Sequence, residues 1–269
     1  MAHPALRVRE PRCAFLAFGA LAGMTVVLDG TAAMPAEQPA PRSCQPALFR
    51  VALDIGHDRA KPGAISATGV TEFEYNLSLG HAVIAGLRQA GFGAAFLVGE
   101  SGTPQPIERR TKIAMDEHAV LLVSLHHDSV QPRYLSEWTV DGRLQHYSDN
   151  FHGYSVFISG KNSHQQGSKE FAVLLGEALL GQGLTPSLHH AEKISGENRP
   201  LLDARLGVYR FNDLEVLKTA SMPAVLLETG IIVNRKEEQE IRNGPYHKRI
   251  VAALVHAIRS FCSMHIAGR

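Results

Sequence analysis

The chain has 269 residues, 45% of them hydrophobic, and a formal net charge of +1. That is enough length and apolar material for one large core, which excludes a disordered polar chain. The near-neutral balance excludes an electrostatic case for nucleic acid as the main partner.

Residues 1–33 read as a secretory signal peptide. Arg7, Arg9 and Arg12 precede an apolar run over 13–28 and the small residues Thr31-Ala32-Ala33. Ala33 is the expected last residue removed, with Ala36 as the competing site. The alternative is an uncleaved anchor, since the run falls a little short of the roughly 20 residues that span a bilayer. Export places the protein in the periplasm or outside the cell. Residues 34–46 form a proline-containing linker, 47–264 the folded domain and 265–269 a short tail. Removal of the signal takes Cys13 and leaves Cys44 and Cys262. An oxidising compartment permits a disulfide between them; two free thiols are the alternative.

Short apolar or β-branched runs bounded by Gly, Pro or polar residues predict strands over 50–54, 94–98, 120–125, 155–159 and 224–228. Helical spacing predicts helices over 73–90, 107–118, 169–180 and 236–261. Strands alternating with helices imply a three-layer α/β domain. Residues 131–150 break the rhythm with Tyr134, Trp138, His146 and Tyr147 among polar residues. They read as a solvated surface insertion, with a border of the functional site as the alternative.

Three of the predicted strands each deliver one candidate residue at the same end: His57 after Asp54-Ile55-Gly56, His126 after Ser124-Leu125, and Glu228 after Leu226-Leu227. Side chains just past the carboxyl ends of neighbouring parallel strands converge on one crevice. Two histidines and a carboxylate suit a catalytic zinc, which keeps one position open for water. Glu72, at the start of the 73–90 helix, is a candidate third ligand. Its competing explanation is favourable charge in a first helical turn, and Glu74 fits either role as well. Glu228 ends a run expected to be buried, where a carboxylate needs a partner and its pKa rises toward the range useful for proton transfer.

The ordered stretches DIGHD with PGAI, GVTEFEYNL, VSLHHDS and MPAVLLETGIIVN resemble the zinc-dependent N-acetylmuramoyl-L-alanine amidases of bacterial cell-wall turnover. The likeness runs from about residue 49 to 261 and makes 47–264 a catalytic domain. It implies a single α/β domain with a mostly parallel six-stranded sheet flanked by helices. It also implies Zn2+ ligands at His57, Glu72 and His126, resolving Glu72 against Glu74, and a catalytic role for Glu228. Two departures stand out: Asp58-Arg59-Ala60 where the family has glycines, and His127 where it has a small residue. Both are expected to alter the rim of the site. The charged segment 189–210 is longer than the family leads one to expect and reads as a surface excursion, with a lining of the groove as the alternative.

The resemblance implies cleavage of the amide between the lactyl group of N-acetylmuramic acid and L-alanine of the stem peptide, with peptidoglycan as partner. A zinc ion lowers the pKa of water from about 16 to about 7, and Glu228 would handle the proton. The rival enzyme is a zinc peptidase acting within the stem peptide. The rival outside catalysis is a wall-binding regulator, against which the completeness of the four-residue set argues.

Overall fold

The computed structural model describes residues 44–266; the predicted signal peptide, most of the linker and the last residues of the tail lie outside them. Among the described residues, a short 3-10 turn (Pro46–Leu48) leads into strand β1 (Val51–Ile55), helix α1 (Glu72–Gln89), β2 (Phe96–Val98), α2 (Ile107–Asp116) and β3 (Leu121–Asp128). A hairpin of β4 (Ser136–Val140) and β5 (Arg143–Tyr147) follows, then β6 (Ser155–Ile158), α3 (Gln165–Gly181), β7 (Leu201–Asp203) and β8 (Val208–Arg210). The short α4 (Glu215–Lys218), β9 (Ala224–Ile231), α5 (Arg235–Ile241) and α6 (Gly244–Ile266) complete it.

Seven strands form the central sheet in the order β2-β1-β3-β9-β6-β8-β7. The four strands β2, β1, β3 and β9 run parallel, β6 runs antiparallel to β9, and β8 runs parallel to β6. The expected six-stranded sheet is thus one strand short. Two of the seven, the antiparallel β7–β8 pair at one edge, fold from the charged segment, where strands of three residues are too short to announce themselves.

Every residue of β1 is buried, because helices cover both faces of a parallel sheet and its strands then read as continuous apolar runs. The two-residue side-chain period of a strand sorts the core. Leu53, Leu121, Val123, Leu125, Val225 and Leu227 face α1, α3 and α6. Ala52, Leu122, Ala224 and Leu226 face α2 and α4. That alternation also decides which side of the sheet receives the polar residues at the strand ends.

The single predicted 236–261 helix is two. Asn234 caps α5 by accepting from the Lys236 and Glu237 amides, and Pro245 has no N–H to continue a ladder, so it sits in the first turn of α6. Residues 131–150 form an ordered two-stranded hairpin turning through Asp141 and Gly142, both at positive φ, the combination such tight turns favour. Its Trp138 donates from Nε1 to the Ala67 carbonyl at 2.8 Å, and Arg235 lies over the Tyr147 ring at 3.8 Å. It therefore packs on the β1–α1 connection. Among the described residues no helix is long and apolar enough to cross a membrane.

Cys44 and Cys262 are disulfide-bonded across 218 residues of sequence, tying the start of the domain to α6. Closing so long a loop restricts the unfolded chain strongly. Replacing both cysteines with serine is expected to lower unfolding free energy by about 2–4 kcal/mol in denaturant titrations; an unchanged midpoint would refute a stabilising role.

Candidate active site

β1 runs out into Gly56 and His57, just past its last residue Ile55. The Gly56 amide donates to the Leu125 carbonyl at 3.0 Å, and a Cβ there would stand 2.4 Å from the His126 ring. Only glycine permits that approach. His57 has φ of +69°, a left-handed conformation costing roughly 1–2 kcal/mol for a residue with a Cβ. Arg110 of α2 holds it there, donating through Nη2 to the His57 carbonyl and through Nη1 to the Ile55 carbonyl. The same guanidinium pairs with Asp54 at 2.8 Å, and Asp54 accepts from Ser124 Oγ at 2.6 Å. Asp54, Ser124 and His126 lie on the α2 face of the sheet, so this buried knot underpins the first two strand ends.

Thr71 caps α1 in a capping box: its hydroxyl accepts from the Glu74 amide, and the Glu74 carboxylate accepts from the Thr71 amide. Glu74 is thereby engaged at the surface, while Glu72 is buried and turns inward. His57 Nε2 and His126 Nδ1 each lie 2.9 Å from a different Glu72 oxygen. The Ala64 amide, the His127 amide and Asn76 Nδ2 also donate to that carboxylate. Burial opposes its charge, but the hydrogen bonds and charge of the two imidazoles hold its pKa well below the usual carboxylate range. For His57 burial pulls the other way, and Glu72 outweighs it and raises the imidazole above its ordinary value.

The donor atoms of His57, Glu72 and His126 lie within 4.8 Å of one another and could hold a metal ion. Two imidazoles and a carboxylate oxygen, with outer hydrogen bonds orienting the carboxylate, are a donor set that zinc accepts. Gly63 confirms how tightly the residues are set: a Cβ there would meet Glu72 Oε2 at 2.3 Å.

Glu228 on β9 is the register partner of His126 on β3. Its Oε2 is buried without a hydrogen-bond partner. Burial, reinforced by the nearby Asp128 and Glu72 carboxylates, pushes its pKa well above the ordinary value. A cavity of about 600 Å³ is lined by His57, His126, Arg110 and Pro106, and one of about 270 Å³ by Glu228, Asp128, His190 and Arg199. Leu214 and Leu226 line both, so His57, His126 and Glu228 border one groove, with the buried Glu72 behind the two histidines. Another cavity of about 600 Å³, between Asp149, Arg235 and Arg249, contains none of them.

Two expectations need correction. His127 does not reach the rim: strand alternation turns it into the core, where Nδ1 meets Asn76 Oδ1 at 2.8 Å and burial lowers its pKa to about 3. Nor is 189–210 a surface excursion throughout. His190 lies 2.8 Å from both Asp128 and Glu197, and this mutual neutralisation lets a charged segment enter the groove wall. Burial disfavours its imidazolium, but the two carboxylates prevail and push it up to about 9. The other departure, Asp58-Arg59-Ala60, is a turn in which Asp58 accepts from the Ala60 and Lys61 amides. Sequence reading also missed Arg110, Asn76 and Asp54; the only signal was Asp54 and Ser124 as polar residues inside apolar runs.

Fold and site together define a class of α/β domain in which His57, His126 and Glu228 gather at the carboxyl ends of neighbouring parallel strands against Glu72 at the start of α1. Residues 51–260 match the family described as N-acetylmuramoyl-L-alanine amidase, and the chain belongs to that family. The N-acetylmuramoyl-L-alanine amidase AmiA of Salmonella typhimurium is 27% identical over 222 residues, covering 78% of this chain and 75% of that protein. A putative N-acetylmuramoyl-L-alanine amidase of Buchnera aphidicola is 24% identical over 230 residues, covering 78% and 94%. The catalytic domain of CwlV from Bacillus (Paenibacillus) polymyxa shares the fold, with a TM-score of 0.60 at 22% identity over 80% of this chain and 98% of that one.

Proposed function

We propose that this protein is exported and hydrolyses the amide between the lactyl group of N-acetylmuramic acid and L-alanine of the peptidoglycan stem peptide. Its catalytic domain is 47–264, and removal of residues 1–33 accompanies export. His57, Glu72 and His126 hold Zn2+, and Glu228 is the catalytic residue that handles the proton. The observation that carries this reading is the convergence of His57 Nε2 and His126 Nδ1 on the Glu72 carboxylate at 2.9 Å each, with Glu228 on the adjoining strand.

Bound Zn2+ supplies Lewis acidity that polarises the scissile carbonyl and acidifies water. The chain's own residues do the rest. The carboxylate of Glu72 orients both imidazoles; Asn76 and the backbone amides fix that carboxylate. Glu228 takes a proton from the attacking water and delivers it to the departing L-alanine amine, and burial raises its pKa above the ordinary carboxylate value, the direction that favours holding that proton. The groove on either side seats glycan and peptide.

A muropeptide digest analysed by mass spectrometry tests the reaction. Release of the intact stem peptide with a free L-alanine amine is expected, abolished by chelator and restored by zinc. Shortened peptides would assign a peptidase, and no product in either condition would leave a binding protein. For the ligands, His126→Ala and Glu72→Gln are each expected to lose the ion held at this site, read as a lower metal-to-protein ratio by elemental analysis, since outer hydrogen bonds alone change affinity about 10–100-fold. An unchanged metal-to-protein ratio would remove that residue from the set.

A further inference from the structure

Among the described residues a second set of metal-ligating atoms converges apart from the first: Asp128, His189 and His190, with donor atoms within 4.8 Å of one another. We propose that this cluster is a second divalent-metal site, taking a borderline cation such as Zn2+ through Asp128 Oδ2 and Nε2 of both histidines.

The outer contacts already fix which atoms are presented. His189 Nδ1 is 2.8 Å from Ser187 Oγ, and His190 Nδ1 is 2.8 Å from Glu197 Oε2. Glu197 is itself fixed by Gln131 Nε2 at 2.7 Å. Each Nε2 is thereby aimed at Asp128, at 3.5 Å from His189 and 2.8 Å from His190. Asp128 Oδ1 accepts from the Ser129 amide at 2.8 Å, which leaves Oδ2 as the oxygen offered. The register shift between His126 and Asp128 marks the bulge that presents this side chain.

The independent observation is His189 Nε2. It is buried without a hydrogen-bond partner, on a side chain only 1% exposed. A buried polar atom left unpaired is costly, and a cation between it and Asp128 Oδ2 meets the need. The arrangement repeats the first group, with two imidazole nitrogens aimed at one carboxylate and outer partners holding each ligand. Imidazole donors select zinc-like ions over magnesium or calcium. Asp128 and His190 line the cavity that also contains Glu228, so the cation has an entry path and faces the groove. The competing occupant is a proton shared between His190 and Asp128.

The two sites share no ligand and can be removed separately. Purified wild-type protein, stripped with chelator and titrated with Zn2+, is expected to bind two ions per chain. Asp128→Asn, His189→Ala and Glu72→Gln are each expected to bind one. One ion per chain, lost in Glu72→Gln and kept in Asp128→Asn, would overturn this site while leaving the first intact. One ion lost in Asp128→Asn and kept in Glu72→Gln would support this site and overturn the first. Anomalous scattering at the zinc edge from wild-type crystals does not depend on variant folding. A peak between His189 and His190 is expected, and its absence at saturating zinc overturns the proposal.

Discussion

Glu228→Gln is expected to retain zinc and fold while losing turnover by about 10²–10⁴-fold, the usual contribution of a positioned proton-transfer group. The amide keeps the shape of the side chain but cannot accept a proton from water or return one to the amine. The sign of the stability effect follows from the same burial. The folded-state pKa of Glu228 lies above its unfolded value, so in metal-free protein the folded chain binds more protons above the ordinary carboxylate pKa. Stability is then lost as pH rises from that value through the raised one. Glutamine has no such dependence, so the metal-free variant is expected to melt no lower than the parent at neutral pH. Activity within threefold of wild type in the muropeptide digest would refute the role of Glu228.

The second large effect is expected beneath the site. Arg110→Met removes the cation that pairs with Asp54 and the donors to the Ile55 and His57 carbonyls. Both members of the pair are almost fully buried, and breaking such a pair from one side costs about 3–5 kcal/mol because an uncompensated charge remains. For a domain of this size that lowers the thermal midpoint by roughly 10 °C. The left-handed His57 also loses its restraint, so zinc affinity should fall with stability. Arg110→Lys keeps the charge but not the planar fork that reaches a carboxylate and two carbonyls together, and it should fall between. Adding Asp54→Asn to Arg110→Met should recover part of the stability by removing the stranded charge. A melting curve for Arg110→Met that overlays the parent would refute the argument.

Much of the fold was legible because its strongest signals are local. The apolar runs at 50–54, 120–125 and 224–228 are strands buried on both faces, and the four-residue spacing of Ile250, Leu254 and Ile258 marks a helix packed on the sheet. The break before α6 was missed although Pro245 signals it. The edge strands β7 and β8 were missed because at three residues each they carry too little pattern.

What the sequence by itself determined is the order of the main buried strands and long helices and the end of the sheet at which His57, His126 and Glu228 emerge, because hydrophobic periodicity and strand ends are properties of neighbouring residues. Glu72 was separable from Glu74 only through likeness to a family; the fold supplies the physical reason, a capping box that occupies Glu74 and leaves Glu72 to face the histidines. Tertiary structure alone decided that Arg110, 53 residues from His57 in sequence, restrains it. It also brought His190 to Asp128 across 62 residues. Such pairings depend on how helices and loops close over the sheet, and burial of charge becomes affordable only once the partner is in place.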